Sequence, residues 1–214
     1  MRKTIQFRAT LVFEVLFLVF IGFSPVMAQS GDSDSTKSRE SGDDIARSGG
    51  IEPKLSVTRH TFRLGEESFG YTATAGYLRL KDDSAKPKAD LFFTAYTVEN
   101  QESRAITFVF NGGPGASSVW LHLGVAGPVR VLTGEDAAPA GPPYATVPNP
   151  YSWLPWTDLV FIDPVGTGFS RAIPPEESKA FYGTRDDVKW IGEFIRSYVS
   201  MFGRWKSPKC IAGE

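Results

Sequence analysis

The sequence predicts an α/β domain preceded by antiparallel strands, and three observations point there. First, "AITFVF" (105–110) and "DLVFID" (158–163) are uninterrupted apolar runs bounded by turn residues. That pattern belongs to strands buried on both faces of a mainly parallel sheet. Second, between Thr184 and Trp205 the residues Val188, Ile191, Ile195, Tyr198, Val199 and Phe202 recur at helical spacing, and "KCIA" follows as a short buried strand. A strand, a helix and a strand in succession mark the α/β class. Third, "LSVTRHTFRL", "GYTATAGYLRL" and "DLFFTAYTVEN" are short, β-branched or aromatic, and separated by Gly, Lys and Asp clusters, as antiparallel strands are.

Taken in order, the chain begins with a targeting segment. Arg2, Lys3 and Arg8 precede an apolar run from Ala9 to Phe23 broken only by Glu14, and "VMA" ends at Ala28 as a small-x-small cleavage site. Residues 1–28 read as a secretory signal peptide, so the mature chain should start at Gln29 in an exported, periplasmic or secreted protein with no membrane attachment. Residues 29–50 are Ser, Gly and Asp with few apolar side chains, a flexible linker that buries too little surface to offset its ordering entropy. Residues 51–214 form the α/β portion. Within it, Thr184 and Asp187 fit a capping box at the start of the long helix. The proline-rich stretch from Gly127 to Pro155 reads as one long loop near the site.

Composition narrows the function classes. With 42% apolar and 13% aromatic residues the chain supports an ordinary core, and a formal net charge of −1 without a Lys/Arg run gives no footprint for nucleic acid. The single cysteine, Cys210, excludes a disulfide within the chain and supplies no metal-ligand spacing, so no metal or other cofactor is implied. It reads as a small apolar residue in a strand.

Chemistry concentrates in two stretches. In "FVFNGGPGASSVW" a buried strand ends at Phe110, and Asn111, Gly112, Gly113, Pro114 and Gly115 precede Ser117 and Ser118, where a helix could start. Glycines let backbone amides approach a ligand closely, and amides beside a helix start stabilise developing negative charge as an oxyanion hole does. In "SPKCIAGE" the end of a strand is followed by a Gly and one further residue, the opening of the Gly-x-Ser-x-Gly nucleophile elbow. Asp163 precedes that position, whereas the elbow's acid and histidine follow it, so Asp163 reads as a structural turn residue. His60, in a β segment, and His122, behind the glycine turn, also precede it and read as surface or packed histidines.

"NGGPGASS", "FIDPVGTGFSR" and "SPKCIAGE", in this order and spacing, resemble the serine carboxypeptidase family of α/β-hydrolases over about residues 71–214. The resemblance implies that Gly113 donates its amide to the oxyanion and that Asn111, Gly112 and Glu214 hold the substrate's C-terminal carboxylate. Glu214 would do so protonated, its pKa raised by burial and a neighbouring negative charge, which favours an acidic working pH. In that family the catalytic serine follows the Gly-Glu pair. The 214 residues are therefore expected to be the N-terminal part of the hydrolase domain, lacking the catalytic Ser, Asp and His and inactive alone. The chain departs from the family pattern at Val109, where a tryptophan is frequent, at Ala116, where a cysteine is common, and at Gly124 and Val125, where a second glutamate is expected. The implied substrate is a peptide with a free C-terminus, and oligomeric state stays open. An acyltransferase or esterase on the same scaffold, or a non-enzymatic exported fragment that binds peptides, is the alternative.

Overall fold

The computed structural model describes residues 55–99, 103–112, 115–134, 138 and 141–214. The signal segment, the linker and Gly113 lie outside them. A seven-stranded mixed sheet forms the frame. Strands β1 (Ser56–Leu64), β2 (Glu67–Lys81) and β3 (Pro87–Val98) make an antiparallel meander. The β1–β2 turn is tight, and Gly65 takes φ +62° there, where an L side chain would be strained. β3 then pairs antiparallel with β7 (Asp158–Ile162), and β7, β4 (Ile106–Phe110) and β9 (Lys209–Gly213) run parallel in the order β7-β4-β9. A two-residue strand, β8 (Arg171–Ala172), pairs with part of β3.

The apolar runs are strands covered on both faces. Ile106 and Phe108 of β4, with Val160 and Ile162 of β7, pack beneath helix α2 (Thr184–Met201) against Phe194, Tyr198 and Val199. The alternate residues Val109, Leu159 and Phe161 pack on the opposite face with Tyr71, Tyr96, Ala126 and Leu154. Alternation of side chains sends successive residues to opposite faces, and both faces are apolar here. That second face is covered by a short helix, α1 (Val119–Leu121), which runs directly into a π-helical turn over His122–Ala126.

Four local expectations are corrected. The capping box does not form: Gly183, at φ +110°, is the N-cap, and its carbonyl accepts from the Asp187 amide. Asp186 and Asp187 still sit in the first turn, where negative charge complements the helix dipole. Val188 is not core but 69% exposed, whereas Trp190 and Phe194 are buried. "KCIA" is not a buried strand, because β9 takes the last place in the strand order; Lys209, Cys210 and Ile211 are exposed. The stretch 127–155 is not one loop. Strands β5 (Val129–Val131) and β6 (Thr146–Pro148) pair within it as an antiparallel ribbon. Asn149 then ties the ribbon's end to the π turn, its Nδ2 donating to the carbonyls of Val125 and Gly127 at 2.8 and 2.9 Å.

At the N-terminal end of the parallel strands a buried charge cluster closes the sheet. Asp158, 1% exposed, accepts from the Val98 amide at 3.0 Å. Its carboxylate also meets Arg104 Nε at 3.1 Å and Arg204 Nη1 at 2.7 Å. Arg204 further donates to Ser207 Oγ and to the Arg104 carbonyl, each at 2.8 Å. One carboxylate thereby joins the end of β3, the entry to β4, the start of β7 and the turn before β9.

Candidate active site

β4 carries Asn111 and Gly112 just past its C-terminal end, and the parallel register Phe110↔Gly213 brings Glu214 alongside them. The approach is so close that a Cβ on Gly112 would lie 1.8 Å from the Glu214 carbonyl oxygen, which only glycine permits. Asn111 is 4% exposed and uses both ends of its amide. Oδ1 accepts from the Leu121 amide at 3.1 Å, and Nδ2 donates to Glu214 Oε2 at 2.8 Å. A backbone N–H can only face the oxygen, so the α1 bond fixes which way the amide points. The sequence-predicted trio of Asn111, Gly112 and Glu214 is therefore assembled as one cradle whose amide donor is aimed at a carboxylate. The burial expected of Glu214 is not found: its side chain is exposed.

The turn is clamped from behind by Asp163. Its Oδ1 accepts from the Ser118 amide at 2.9 Å and from the Ser118 hydroxyl at 3.0 Å, and its Oδ2 accepts from the Phe169 amide at 3.3 Å. A Cβ on Gly168, at φ +45°, would fall 1.9 Å from Asp163 Oδ2, so the glycine is required by this contact. Ser170 Oγ donates to the Asp163 carbonyl at 2.6 Å and accepts from the Phe92 amide at 2.8 Å. These bonds give Asp163 a positional role at the turn and commit the Ser118 hydroxyl to a carboxylate. Ser117 lies in the same turn, its Cβ 3.0 Å from the position a Gly168 Cβ would occupy.

Both histidines bond a neighbouring hydroxyl through Nε2. His60 Nε2 bonds Thr58 Oγ1 at 2.7 Å on the exposed side of β1, and its ring stacks on Tyr71. His122 Nε2 bonds Tyr96 Oη at 2.6 Å, and its ring stacks on Phe161 with centroids 4.4 Å apart. Burial lowers the His122 pKa to about 4, the Asp163 charge opposing the shift more weakly, and burial raises that of Tyr96. In the unfolded chain His122 titrates near 6.5, so below that pH the unfolded state binds the extra proton. Stability should fall as the pH drops from about 6.5 to 4, by on the order of 2 kcal/mol. Urea midpoints at pH 7.5 and 4.5 should differ accordingly, and His122→Gln should flatten the difference.

Two cavities flank the cradle. One, of about 640 Å³, runs from Asn111 and Gly112 past Val165 and Phe181 to Asp187 and Val188 at the start of α2. Burial raises the Asp187 pKa. The other, of about 420 Å³, is lined by Asn111, Gly112, Ala116, Trp120 and Glu214. Trp120 and the Tyr96–His122 pair were not singled out from the sequence. Trp120 could have been noticed as a large aromatic four residues beyond Ala116, but Tyr96 and His122 are 26 residues apart and carry no local signal.

A serine carboxypeptidase family model matches residues 65–214. A carboxypeptidase Y homolog from Arthroderma benhamiae is 34% identical over 128 residues, covering 59% of this chain and 23% of that protein. The serine-type carboxypeptidase F of Aspergillus niger is 33% identical over 125 residues, covering 58% of this chain and 21% of that protein. Serine carboxypeptidase-like 34 of Arabidopsis thaliana is 28% identical over 165 residues, 70% of this chain and 29% of that protein. The chain thus spans about a quarter of the length of these relatives. The sheet, with its antiparallel N-terminal strands followed by parallel β4, β7 and β9, is that of an α/β-hydrolase, and the glycine turn closing β4 falls inside the matched region. On these grounds the chain belongs to the serine carboxypeptidase family.

Proposed function

We propose that these residues contribute the carboxylate-recognising half of a serine-type carboxypeptidase site in an exported protein. The whole protein would cleave the last peptide bond of a chain with a free C-terminus. Water is consumed, the C–N bond breaks, and one free amino acid and a shortened peptide carboxylate leave. The observation that carries this reading is the Asn111 amide, oriented by the Leu121 N–H and presenting Nδ2 to a carboxylate oxygen at 2.8 Å. A donor so placed is pre-set for a peptide's terminal carboxylate, with Glu214 beside it. The Gly113 amide, which follows Gly112 in the sequence, is assigned to the oxyanion of the tetrahedral intermediate. The hydroxyl nucleophile, its histidine and the orienting acid are assigned to none of the described residues, since both histidines are engaged elsewhere.

Export is proposed on the basic start, the apolar run and the "VMA" site of residues 1–28. Among the described residues no helix is long and apolar enough to cross a membrane.

The reading is tested by product analysis. Incubating the whole protein with N-blocked peptides that bear a free C-terminus should release single C-terminal amino acids, followed by mass spectrometry. Internal cleavage, or acyl transfer to an added alcohol or amine without residue release, would contradict it.

A further inference from the structure

We propose that His122 is a positioning residue for this site: its ring, locked to the sheet by Tyr96 and Phe161, fixes the Leu121 amide and through it the aim of Asn111. The inference rests on the carboxypeptidase reading and names a contact, outside the cradle, on which recognition of the free C-terminus depends.

Packing does little to place the element that orients Asn111. α1 has no buried residue, and the π turn that continues it buries Ala126 alone. Its position is therefore set by hydrogen bonds. The start is held, since Ser118 is bound to Asp163 through its amide and hydroxyl. The far end is held as well, since Asn149 donates to the carbonyls of Val125 and Gly127. Between Val119 and Ala126 only Trp120 and His122 carry a polar side-chain atom, and the indole is 70% exposed. The middle is left to His122, the residue next to Leu121.

The His122 amide donates to the Ser118 carbonyl at 2.8 Å, and its carbonyl accepts from the Gly127 amide at 3.0 Å, which closes the π turn. Gly127 has to be glycine here, because a Cβ would lie 2.3 Å from that carbonyl oxygen and 3.1 Å from Cδ2 of the ring. The ring's two partners are fixed parts of the sheet. Tyr96, whose Oη lies 2.6 Å from Nε2, is paired with Ala73 of β2 and Leu159 of β7. Phe161, on which the ring stacks, is a buried residue of β7. The Leu121 amide thus sits one peptide away from a side chain anchored to the centre of the sheet, and Asn111 Oδ1 accepts from that amide at 3.1 Å. A shift of the turn moves the donor, and Asn111 loses the bond that decides which end of its own amide faces the substrate.

The test measures kcat and KM of the whole protein on matched N-blocked peptides that end as the free acid or as the amide. Tyr96→Phe removes one hydroxyl and His122→Leu removes the polar edge of the ring. Either should raise KM for the free acid about 10-fold, with kcat and the processing of the amide little changed. His122→Gln, whose side-chain amide can still reach Tyr96 Oη, should restore most of the loss. The double variant with Tyr96→Phe and His122→Leu should lose no more than either alone, because both break one contact. Tyr96→Phe, the milder change, carries the test if His122→Leu does not fold. Three results overturn the proposal: acid and amide rates falling together with the folding midpoint, which makes the pair merely structural; an unchanged free-acid KM in Tyr96→Phe; or His122→Gln no better than a folded His122→Leu. If the unmodified protein shows no preference for the free acid, the carboxypeptidase reading itself fails and takes this inference with it, a result seen before any variant is made.

Discussion

Asp158→Ala is expected to cost about 3–5 kcal/mol of stability, the penalty typical of removing one partner from a buried ion pair. The carboxylate is 1% exposed and meets two guanidinium groups, those of Arg104 and Arg204, which are themselves largely buried. Its loss removes the buried counter-charge of both and also deprives the Val98 amide of its acceptor. A domain's total stability is commonly about 5–15 kcal/mol, so this single change should bring the chain close to unfolding at ambient temperature. Asp158→Asn keeps an acceptor for Val98 and should cost less, although it too removes the charge. Urea or thermal denaturation of the three proteins checks the order: unmodified most stable, then Asn, then Ala. Equal midpoints would mean that the cluster contributes nothing net.

The second large effect is on recognition. Asn111→Asp keeps the shape of the side chain and the oxygen that receives the Leu121 amide, so the turn should stay in place. It replaces the Nδ2 donor by a second carboxylate oxygen 2.8 Å from Glu214 and next to the terminal carboxylate of a peptide. Like charges placed together at a binding site cost several kcal/mol. In the whole protein kcat/KM for free-acid peptides should fall about 100-fold or more. Steady-state kinetics checks this, and the folding midpoint of the variant shows whether the loss is one of recognition or of structure.

Much of the frame was legible because it obeys short-range patterns. β4 and β7 announce themselves as continuous apolar runs, since Phe108 and Val160 face α2 while Val109 and Phe161 face the opposite cluster. The glycine turn was legible for a different reason. Gly112 has to be glycine because the Glu214 backbone passes within 1.8 Å of any Cβ there, and such close approaches leave a compositional mark. What the sequence hid depends on contacts between distant residues. The Thr184–Asp187 spacing suggested a cap, but Gly183 at φ +110° brings its own carbonyl to the Asp187 amide. Val188 has the right spacing for the core, yet it borders the cavity at the start of α2 instead. Asp158 reads locally as the polar start of a strand, and nothing near it in the chain says that Arg104 and Arg204 converge on it. Position in the strand order is equally invisible: "KCIA" has the composition of a buried strand, while its place beside β4 leaves Cys210 and Ile211 exposed.

The central claim is that Asn111, Gly112 and Glu214 form a receptor for a free terminal carboxylate. The most direct measurement compares kcat/KM of the whole protein on matched N-blocked peptides that differ only in ending as the free acid or the C-terminal amide. A site built to bond a particular polar group discriminates strongly against an analogue that lacks it. The free acid should be favoured by about 100-fold or more, with the discrimination abolished in Asn111→Asp. Equal processing of acid and amide by the unmodified protein would contradict the claim, because the cradle would then bind no carboxylate that matters to the reaction.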